Sequence, residues 1–364
     1  MFRRAYNKTI GQFLPIMNKR KKLSTYNPKR EIVTLPDMPT VYSNYSYNEK
    51  TIETFATKSF EQCTFHIDPQ NVTWINVDGL RKEEVEELCE RFHIHPLLAE
   101  DILSIGQRAK SDDIDSHLFA LMPMLYYNTN TGLIQIEQLS IVLSENLLIS
   151  FQPDPTQDPF NPLRERLKNP KTPVRERGAD YLAYCLMDAV VDDYYTVIEK
   201  LSERLERLED EVIRKPNDSI LLKVSLIRHE LMTLKRAITP VRELINSFRH
   251  SENPLVLDAN RKYFKDVYDH ITLAIEYTEN YREMATNLQD LYVNQVNTKM
   301  NEVMKILTVV TTILAPATVI GGVFGMNFVK IPFSDHPHGF VYTVLIMLSI
   351  SVLMLLYFRK KGWF

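Results

Sequence analysis

Two long uncharged segments near the C-terminus are the strongest constraint on how this chain folds. Residues 306–324 carry no charged side chain, and residues 339–358 form a second uncharged run of 20 residues. As a helix rising about 1.5 Å per residue, either run can cross a hydrocarbon core about 30 Å thick. Only the connector Asn327–His338 separates them, which predicts a transmembrane helical hairpin. The alternative is a hairpin buried in a soluble core, and the uncharged length argues against it.

Basic residues that flank these runs predict the orientation of the chain. Residues 359–361 are all basic, and Lys299 and Lys305 precede the first run. Because cytoplasmic flanks are enriched in lysine and arginine, both termini are expected in the cytoplasm, with the loop 326–338 on the outer side. The predicted location is therefore the cell membrane, which the chain crosses twice.

Composition places the rest of the chain in an ordinary globular body. The 364 residues allow about two domains, and a net charge of −3 gives no reason to expect nucleic acid as a partner. Three cysteines without CxxC spacing fit a reducing compartment. The sequence has no phosphate-binding glycine loop and no His-Glu metalloenzyme motif, so neither an enzyme nor an organic cofactor is expected. The basic N-terminus has a short apolar core broken by Pro15, which does not fit a signal peptide.

Changes of pattern divide the chain into segments, and the predicted fold class is an α+β/α membrane protein. The segments are a flexible basic tail (1–30), a cytoplasmic α/β domain (31–170), a helical hairpin region (171–253), a stalk helix continuous with the first transmembrane helix (254–325), an outer loop (326–338), a second transmembrane helix (339–358) and a basic cytoplasmic tail (359–364). Short apolar runs within the α/β domain predict strands at Val72–Val77, Leu118–Tyr127, Ile134–Val142 and Leu147–Phe151, and helices at Leu80–Phe92 and Pro96–Leu103.

Helical periodicity dominates after Gly178. Apolar residues recur at steps of three and four on both sides of a break at residues 215–218, which predicts an antiparallel hairpin with coiled-coil-like seams. The acidic outer faces are either simply solvated or a diffuse surface that attracts cations. The seam residues are Val197, Leu201, Leu205, Leu208 and Val212, followed by Ile220, Val224, Ile227, Leu231, Leu234 and Ile238.

Neither proline nor glycine occurs between Pro254 and Pro316, so this stretch can form one helix on the order of 90 Å long. Residues spaced by three and four along it form a stripe that is polar at first and small or hydroxyl-bearing in the membrane. Lipid-facing surfaces favour large apolar side chains, so the stripe should face protein or water. Small-residue helix packing is one interpretation; the polar continuation favours a pore, which needs several subunits. The stripe comprises Asp290, Asn294, Asn297, Asn301, Met304, Thr308, Thr311, Ala315, Thr318, Gly322 and Gly325, with Leu307 beside it.

The tripeptide Gly325-Met326-Asn327, placed at the outer end of the first span after the run Asn301–Lys305, resembles the CorA family of magnesium transporters. The similarity covers roughly residues 70–364. It implies a funnel-shaped homopentamer in the lipid bilayer, with five first spans lining the pore.

The resemblance also implies roles for individual residues. Gly325, Met326 and Asn327 would form a selectivity filter whose oxygens accept hydrogen bonds from the water shell of Mg²⁺. Met304 and Leu307 would form an apolar gate, with Asn301 as a polar ring on its cytoplasmic side.

Regulation by Mg²⁺ is a further implication of the resemblance. Regulatory Mg²⁺ would bridge neighbouring subunits at Asp101 and Asp266, with Glu100 and Asp188 nearby. Clustered carboxylates repel one another without a cation, so loss of Mg²⁺ would loosen the interface and open the gate. Taken without the resemblance, Asp188 and Asp266 could equally be solvated helix residues.

Three departures from the family pattern stand out. Phe324 occupies a position where tyrosine is common, and Ala315 one where a pore-facing methionine is often found. The outer loop lacks the usual glutamate, and Asp335 is the candidate replacement for its negative charge.

The predicted function is potential-driven influx of Mg²⁺ and Co²⁺, with Ni²⁺ as a further candidate, under feedback from intracellular Mg²⁺. One alternative is a zinc transporter of the same superfamily, because His336 and His338 in the outer loop could attract softer cations. The other is a membrane-anchored cation sensor that transports nothing.

Overall fold

The computed structural model describes residues 40–59, 61–62, 68, 70–154, 158–214, 217–326, 331 and 336–363. These form two compact units: the residues up to Leu205 with Leu226–Met284, and Glu206–Ser225 with Ala285–Phe364. Three predicted features lie outside the described residues: the tail (1–30), Asn327 of the predicted filter and Asp335 of the predicted outer loop.

A seven-stranded sheet forms the centre of the first unit. Its strands are β1 (Val41–Tyr47), β2 (Ile52–Thr57), β3 (Val72–Asp78), β4 (Lys110–Ile114), β5 (His117–Asn128), β6 (Leu133–Leu143) and β7 (Leu147–Gln152), in the spatial order β2-β1-β3-β7-β6-β5-β4. All neighbours are antiparallel except β3 and β7, which run parallel with Thr73 opposite Leu147. The sheet therefore joins two antiparallel parts, β2-β1-β3 and β7-β6-β5-β4, through the one parallel pair of β3 and β7.

Helices α1 (Lys82–Arg91) and α2 (Pro96–Leu103) build a core against this sheet. Their apolar faces contribute Leu88, Leu98 and Ile102 to one buried cluster with strand residues such as Ile75 and Phe119. Proline at the first position of α2 loses no helical hydrogen bond, and the His95 ring nitrogen accepts one from the Leu97 N–H at 3.2 Å. The predicted start of this helix is confirmed.

All four strands expected from apolar runs are present as β3, β5, β6 and β7, within one residue at each end. Strands β1, β2 and β4 and the helix α3 (Asn161–Lys168) were not predicted. In β1, polar residues point inward: Asn44 and Ser46 are buried together with Tyr42. A strand whose buried side is polar leaves no apolar alternation in the sequence.

The helical hairpin is confirmed as α4 (Ala179–Arg214) and α5 (Asp218–Arg249). All eleven predicted seam residues are buried, the most exposed of them, Leu208, at 3%. In the second unit the hairpin is also linked by a 2.7 Å ion pair between Lys223 and Glu211. The seams are therefore apolar contacts, and the acid lies outside them.

The long helix α6 runs from Arg261 to Phe324 without interruption, 64 residues or about 96 Å. The expected start at residue 254 was wrong. The backbone N–H of Leu257 and the side chain of Asn260 are bound by Asp180, which holds the chain in a turn before the helix begins. A second long helix, α7, spans Gly339–Lys360, two residues beyond the predicted end of that span. In the described part of the chain, these two helices are long and apolar enough to cross a membrane.

Candidate ion pathway and regulatory carboxylates

The predicted pore stripe lies on an open side of α6. α7 contacts the opposite side, where the Ser351 hydroxyl donates a hydrogen bond to the carbonyl oxygen of Ile313 at 3.3 Å. Every predicted pore residue from Asn301 to Gly325 is exposed, including Met304 and Leu307, whereas Val309 on the side of Ile313 is buried. The stripe is therefore free to face another copy of the chain or water.

Side chains next to the stripe have a different character. The adjoining exposed surface carries large apolar residues, namely Val303, Ile306, Val310 and Leu314. Such residues suit lipid tails or apolar helices, whereas threonine, alanine and glycine allow close approach and contact with water. The stripe and the adjoining surface are both exposed, and they differ in the chemistry of their side chains.

Threonine hydroxyls along the stripe are oriented by their own helix. Thr308 donates to the carbonyl oxygen of Met304 at 2.8 Å, Thr311 to that of Leu307 at 2.9 Å, and Thr318 to that of Leu314 at 3.0 Å. Because the hydroxyl proton is used within the helix, the lone pairs of each oxygen remain as acceptors on the exposed side. The stripe thus offers hydrogen-bond acceptors without charge, which suits the water shell of a cation.

Glycines shape the C-terminal end of α6. The Gly325 N–H donates to the carbonyl oxygen of Gly321 at 2.9 Å, and a Cβ added at Gly325 would lie 3.3 Å from that same oxygen. A side chain at this position would press on the backbone of the last turn. Met326 follows with its side chain exposed, and Asn327 lies outside the described residues.

Asp101, the first predicted regulatory ligand, already has partners within its own chain. Gln107 donates from Nε2 to Asp101 Oδ1 at 3.0 Å, and the Lys110 ammonium contacts Oδ2. Gln138 donates to the backbone oxygens of Asp101 and Ile102, which fixes the end of α2. Its neighbour Glu100 is exposed.

Asp188 lies in a second carboxylate cluster of the same unit. The ligand atoms of Asp188, Asp192 and His270 all lie within 4.8 Å of one another. Burial raises the pKa of Asp188 to about 6, and repulsion from Asp192 and Asp266 adds to this increase. Asp266 itself is exposed on α6. Mutual repulsion among these acids is what a bound cation would relieve.

Sequence reasoning named Asp188 and Asp266 but missed Asp192 and His270. Helical spacing could have identified both residues. Asp192 follows Asp188 by four residues on α4, and His270 follows Asp266 by four on α6, so each pair shares a helix face. The contact between the two helices, which brings the pairs together, is not visible in the sequence.

A family model described as "CorA-like Mg2+ transporter protein" matches residues 69–360. The chain belongs to this CorA-like family. Membership confirms the predicted resemblance and the prediction of a transporter rather than an enzyme.

Individual relatives agree with the family match. The CorA-like chain is 36% identical over 321 residues to the cobalt/magnesium transport protein CorA of Thermotoga maritima, covering 88% of this chain and 91% of that protein. It is 29% identical over 297 residues to the protein of the same name from Methanocaldococcus jannaschii, covering 80% and 90% of the two chains.

Among solved structures, the complete CorA magnesium transporter of Methanocaldococcus jannaschii superimposes with a TM-score of 0.72 at 22% identity, covering 91% of this chain and all of that one. This likeness confirms the fold class of the CorA-like chain: an α/β domain, a long helix and two candidate spans.

Proposed function

We propose that this chain is a Mg²⁺ channel-type transporter of the cell membrane, assembled as a homopentamer in which five copies of α6 surround one pore. Co²⁺, and Ni²⁺ as a further candidate, would share the pathway. The observation that carries the proposal is the exposed stripe of helix-oriented threonine oxygens on α6, which continues from Asn301 to the glycines at its outer end.

Passage of a hydrated ion explains the chemistry of this stripe. Mg²⁺ gives up its water reluctantly, so a neutral surface of acceptors can bind the water shell without stripping the ion. At the outer mouth, the carbonyl oxygens of Gly325 and Met326 and the carboxamide of Asn327 would form a ring of the same kind. Entry needs no energy-coupling site, since a dication gains about 4.6 kcal/mol per 100 mV of inward-negative potential.

The apolar residues at the cytoplasmic end of the stripe would close the pore. Five copies of Met304 and Leu307 would form a constriction from which water withdraws, and an ion that must keep its water shell cannot cross a dry passage. Asn301 would hold hydrated ions below it.

Intracellular Mg²⁺ would hold the gate closed through the carboxylates of the first unit. The ligands are Asp101 and Glu100 on α2, Asp266 on α6 and Asp188 on α4, and oxygen donors of this type suit a hard cation. The raised pKa of Asp188, caused first by burial and then by its acidic neighbours, supports a site that gains from a bound cation. α6 carries both Asp266 and the stripe on one uninterrupted helix.

A flux measurement tests this function. Wild-type protein and Asn327→Ala would be reconstituted in proteoliposomes, and Mg²⁺ influx recorded at low and at high internal Mg²⁺. We expect influx that requires Asn327 and falls at high internal Mg²⁺. Influx of Zn²⁺ without Mg²⁺ would identify a zinc transporter instead, and absence of flux for every cation in folded, inserted protein would identify a sensor.

A further inference from the structure

Lys110 contacts the carboxylate of Asp101, which is a ligand in the proposed regulation. Its ammonium contacts Asp101 Oδ2, and the other oxygen of Asp101 accepts from Gln107 at 3.0 Å. Both carboxylate oxygens are therefore bound by donors of the same chain. The Asp101 side chain is 18% exposed and that of Lys110 35%, so the pair is partly shielded from solvent.

A dication and an ammonium compete for one carboxylate oxygen. Mg²⁺ cannot bind Oδ2 of Asp101 while Lys110 stays on it, because the oxygen is occupied and two cations would be in close contact. The lysine stem is long and rotatable, so the ammonium can leave without a change of the backbone.

Asp112 gives the displaced ammonium a second partner. Lys110 Nζ lies 3.3 Å from Asp112 Oδ2, and Lys110 and Asp112 are alternate residues of the edge strand β4. When a dication takes Asp101, Lys110 can remain paired with Asp112. The exchange thus replaces one ion pair by another and leaves no unpaired charge.

We infer that Lys110 is a built-in competitor for the regulatory cation at Asp101 and sets the Mg²⁺ concentration at which the pore closes. The inference rests on the proposed function, in which Asp101 is a regulatory ligand. A singly charged ion gains no more from Asp101 than the tethered ammonium does, whereas a dication gains about twice as much, so this competition would favour divalent over monovalent cations.

The alternative is that Lys110 is a purely structural partner that orients Asp101. The two roles differ in the sign of one effect. Removal of a competitor lowers the Mg²⁺ concentration needed for closure, whereas removal of an orienting partner leaves that concentration unchanged or raises it.

The experiment is a titration of internal Mg²⁺ against influx in proteoliposomes of the full-length protein. Lys110→Met keeps the aliphatic stem and removes the charge, Lys110→Arg keeps the charge, and Lys200→Met is a control that breaks a 3.0 Å ion pair with Glu203 elsewhere. For Lys110→Met we expect the midpoint concentration for closure to fall about three- to tenfold. Lys110→Arg should stay close to the wild type, and Lys200→Met should match it.

A double-mutant cycle supplies the second measurement. Asp112→Asn removes the alternative partner of Lys110, so it should raise the midpoint in the wild type and have little effect in the Lys110→Met background. If Lys110→Met does not fold, as judged by thermal unfolding in detergent, Lys110→Gln takes its place in the cycle.

An unchanged or raised midpoint in Lys110→Met, or in Lys110→Gln where that variant replaces it, with closure intact in the wild type, would overturn the competitor role. Equal effects of Asp112→Asn in both backgrounds would do the same. Wild-type influx that no internal Mg²⁺ concentration inhibits would instead refute the proposed regulation, so the two failures are distinguishable.

Discussion

The carboxylate of Asp180 accepts a hydrogen bond from the side-chain amide of Asn260 at 2.8 Å, and both residues are buried. The same oxygen accepts the backbone N–H of Leu257 at 3.0 Å. Asp180 lies in the first turn of α4 and Asn260 precedes α6, so this contact joins the starts of the two longest helices in the described part of the chain.

Replacement of Asp180 by alanine should therefore destabilise the fold. The change leaves the buried Asn260 amide and the partly buried Leu257 N–H without their acceptor, at a cost of about 3 kcal/mol. The loss would be measured as a lower thermal unfolding temperature of the detergent-solubilised protein. Asp258→Ala is the matched control, since that side chain is 88% exposed and should change stability little. Equal effects of both variants would contradict the assigned role of Asp180.

Thr311→Val tests the acceptor surface of the pore. Valine keeps the shape of threonine and removes the oxygen, so a hydrated ion loses about 1 kcal/mol of hydrogen bonding at each passage and influx should fall at least roughly fivefold. Ser349→Ala on α7 is the control, because its hydroxyl also bonds back to its own helix, at 2.7 Å, but lies outside the stripe. An undiminished Mg²⁺ influx in Thr311→Val would argue against a pore on this face.

Leu307→Thr tests the apolar gate. A hydroxyl at this ring would keep the constriction wet, so influx should persist at an internal Mg²⁺ concentration that closes the wild type. Ile306→Thr makes the same chemical change one residue away, outside the stripe, and should still close. A gate located elsewhere would leave Leu307→Thr as tightly closed as the wild type.

Neutralising the predicted regulatory pair should remove feedback. In Asp101→Asn with Asp266→Asn, carboxylate repulsion disappears along with the ligands, so influx should no longer depend on internal Mg²⁺ between low and high concentrations. Asp269→Asn, an exposed acid three residues from Asp266, serves as the control and should retain inhibition. Inhibition that survives in the double variant would move the regulatory site to other residues.

Glu137 gives the α/β domain a pH-dependent stability. Burial raises the pKa of Glu137 to about 7, and repulsion from Asp154, Asp78 and Asp158 contributes to the shift, although the Asp154 N–H donates to the carboxylate at 2.7 Å. Between pH values of about 4.5 and 7 the folded protein keeps a proton that the unfolded chain has released. The free energy of unfolding should therefore fall as the pH rises through this window.

The expected loss is about 1–2 kcal/mol after allowance for solvent screening. Thermal unfolding at pH 5 and pH 8 would measure it, and Glu137→Gln should reduce the pH dependence by the contribution of Glu137. The exposed Glu145→Gln is the control and should behave as the wild type does. A dependence on pH that is identical in Glu137→Gln would assign it to other groups.

Most helices of this chain follow from local patterns. The seam residues of α4 and α5 repeat at steps of three and four because each must contact the facing helix. This spacing of apolar residues is visible in the sequence. The length of the uncharged run 339–358 predicts α7 in the same way. The start of α6 does not follow, since the turn before it is held by Asp180, about 80 residues away in the chain.

The candidate site was predictable only in part. The predicted pore stripe follows from helical spacing on a single helix, and the structure leaves that surface exposed. Lys110 could not be assigned to Asp101 from the sequence, because the contact depends on how β4 lies beside the end of α2. His270 and Asp192 were missed for the same reason: two helices far apart in sequence must pack before the cluster exists.

The order of the strands along the chain has a consequence for biosynthesis. Every strand of the sheet, including the parallel partner β7, has been synthesised by Gln152, whereas the first uncharged span starts at Ile306. A ribosome adding about 5–20 residues per second needs about 8–30 s to cover that interval. The sheet can thus finish folding before the uncharged spans leave the ribosome. The apolar core of the sheet is then already buried and cannot bind the apolar spans of the nascent chain.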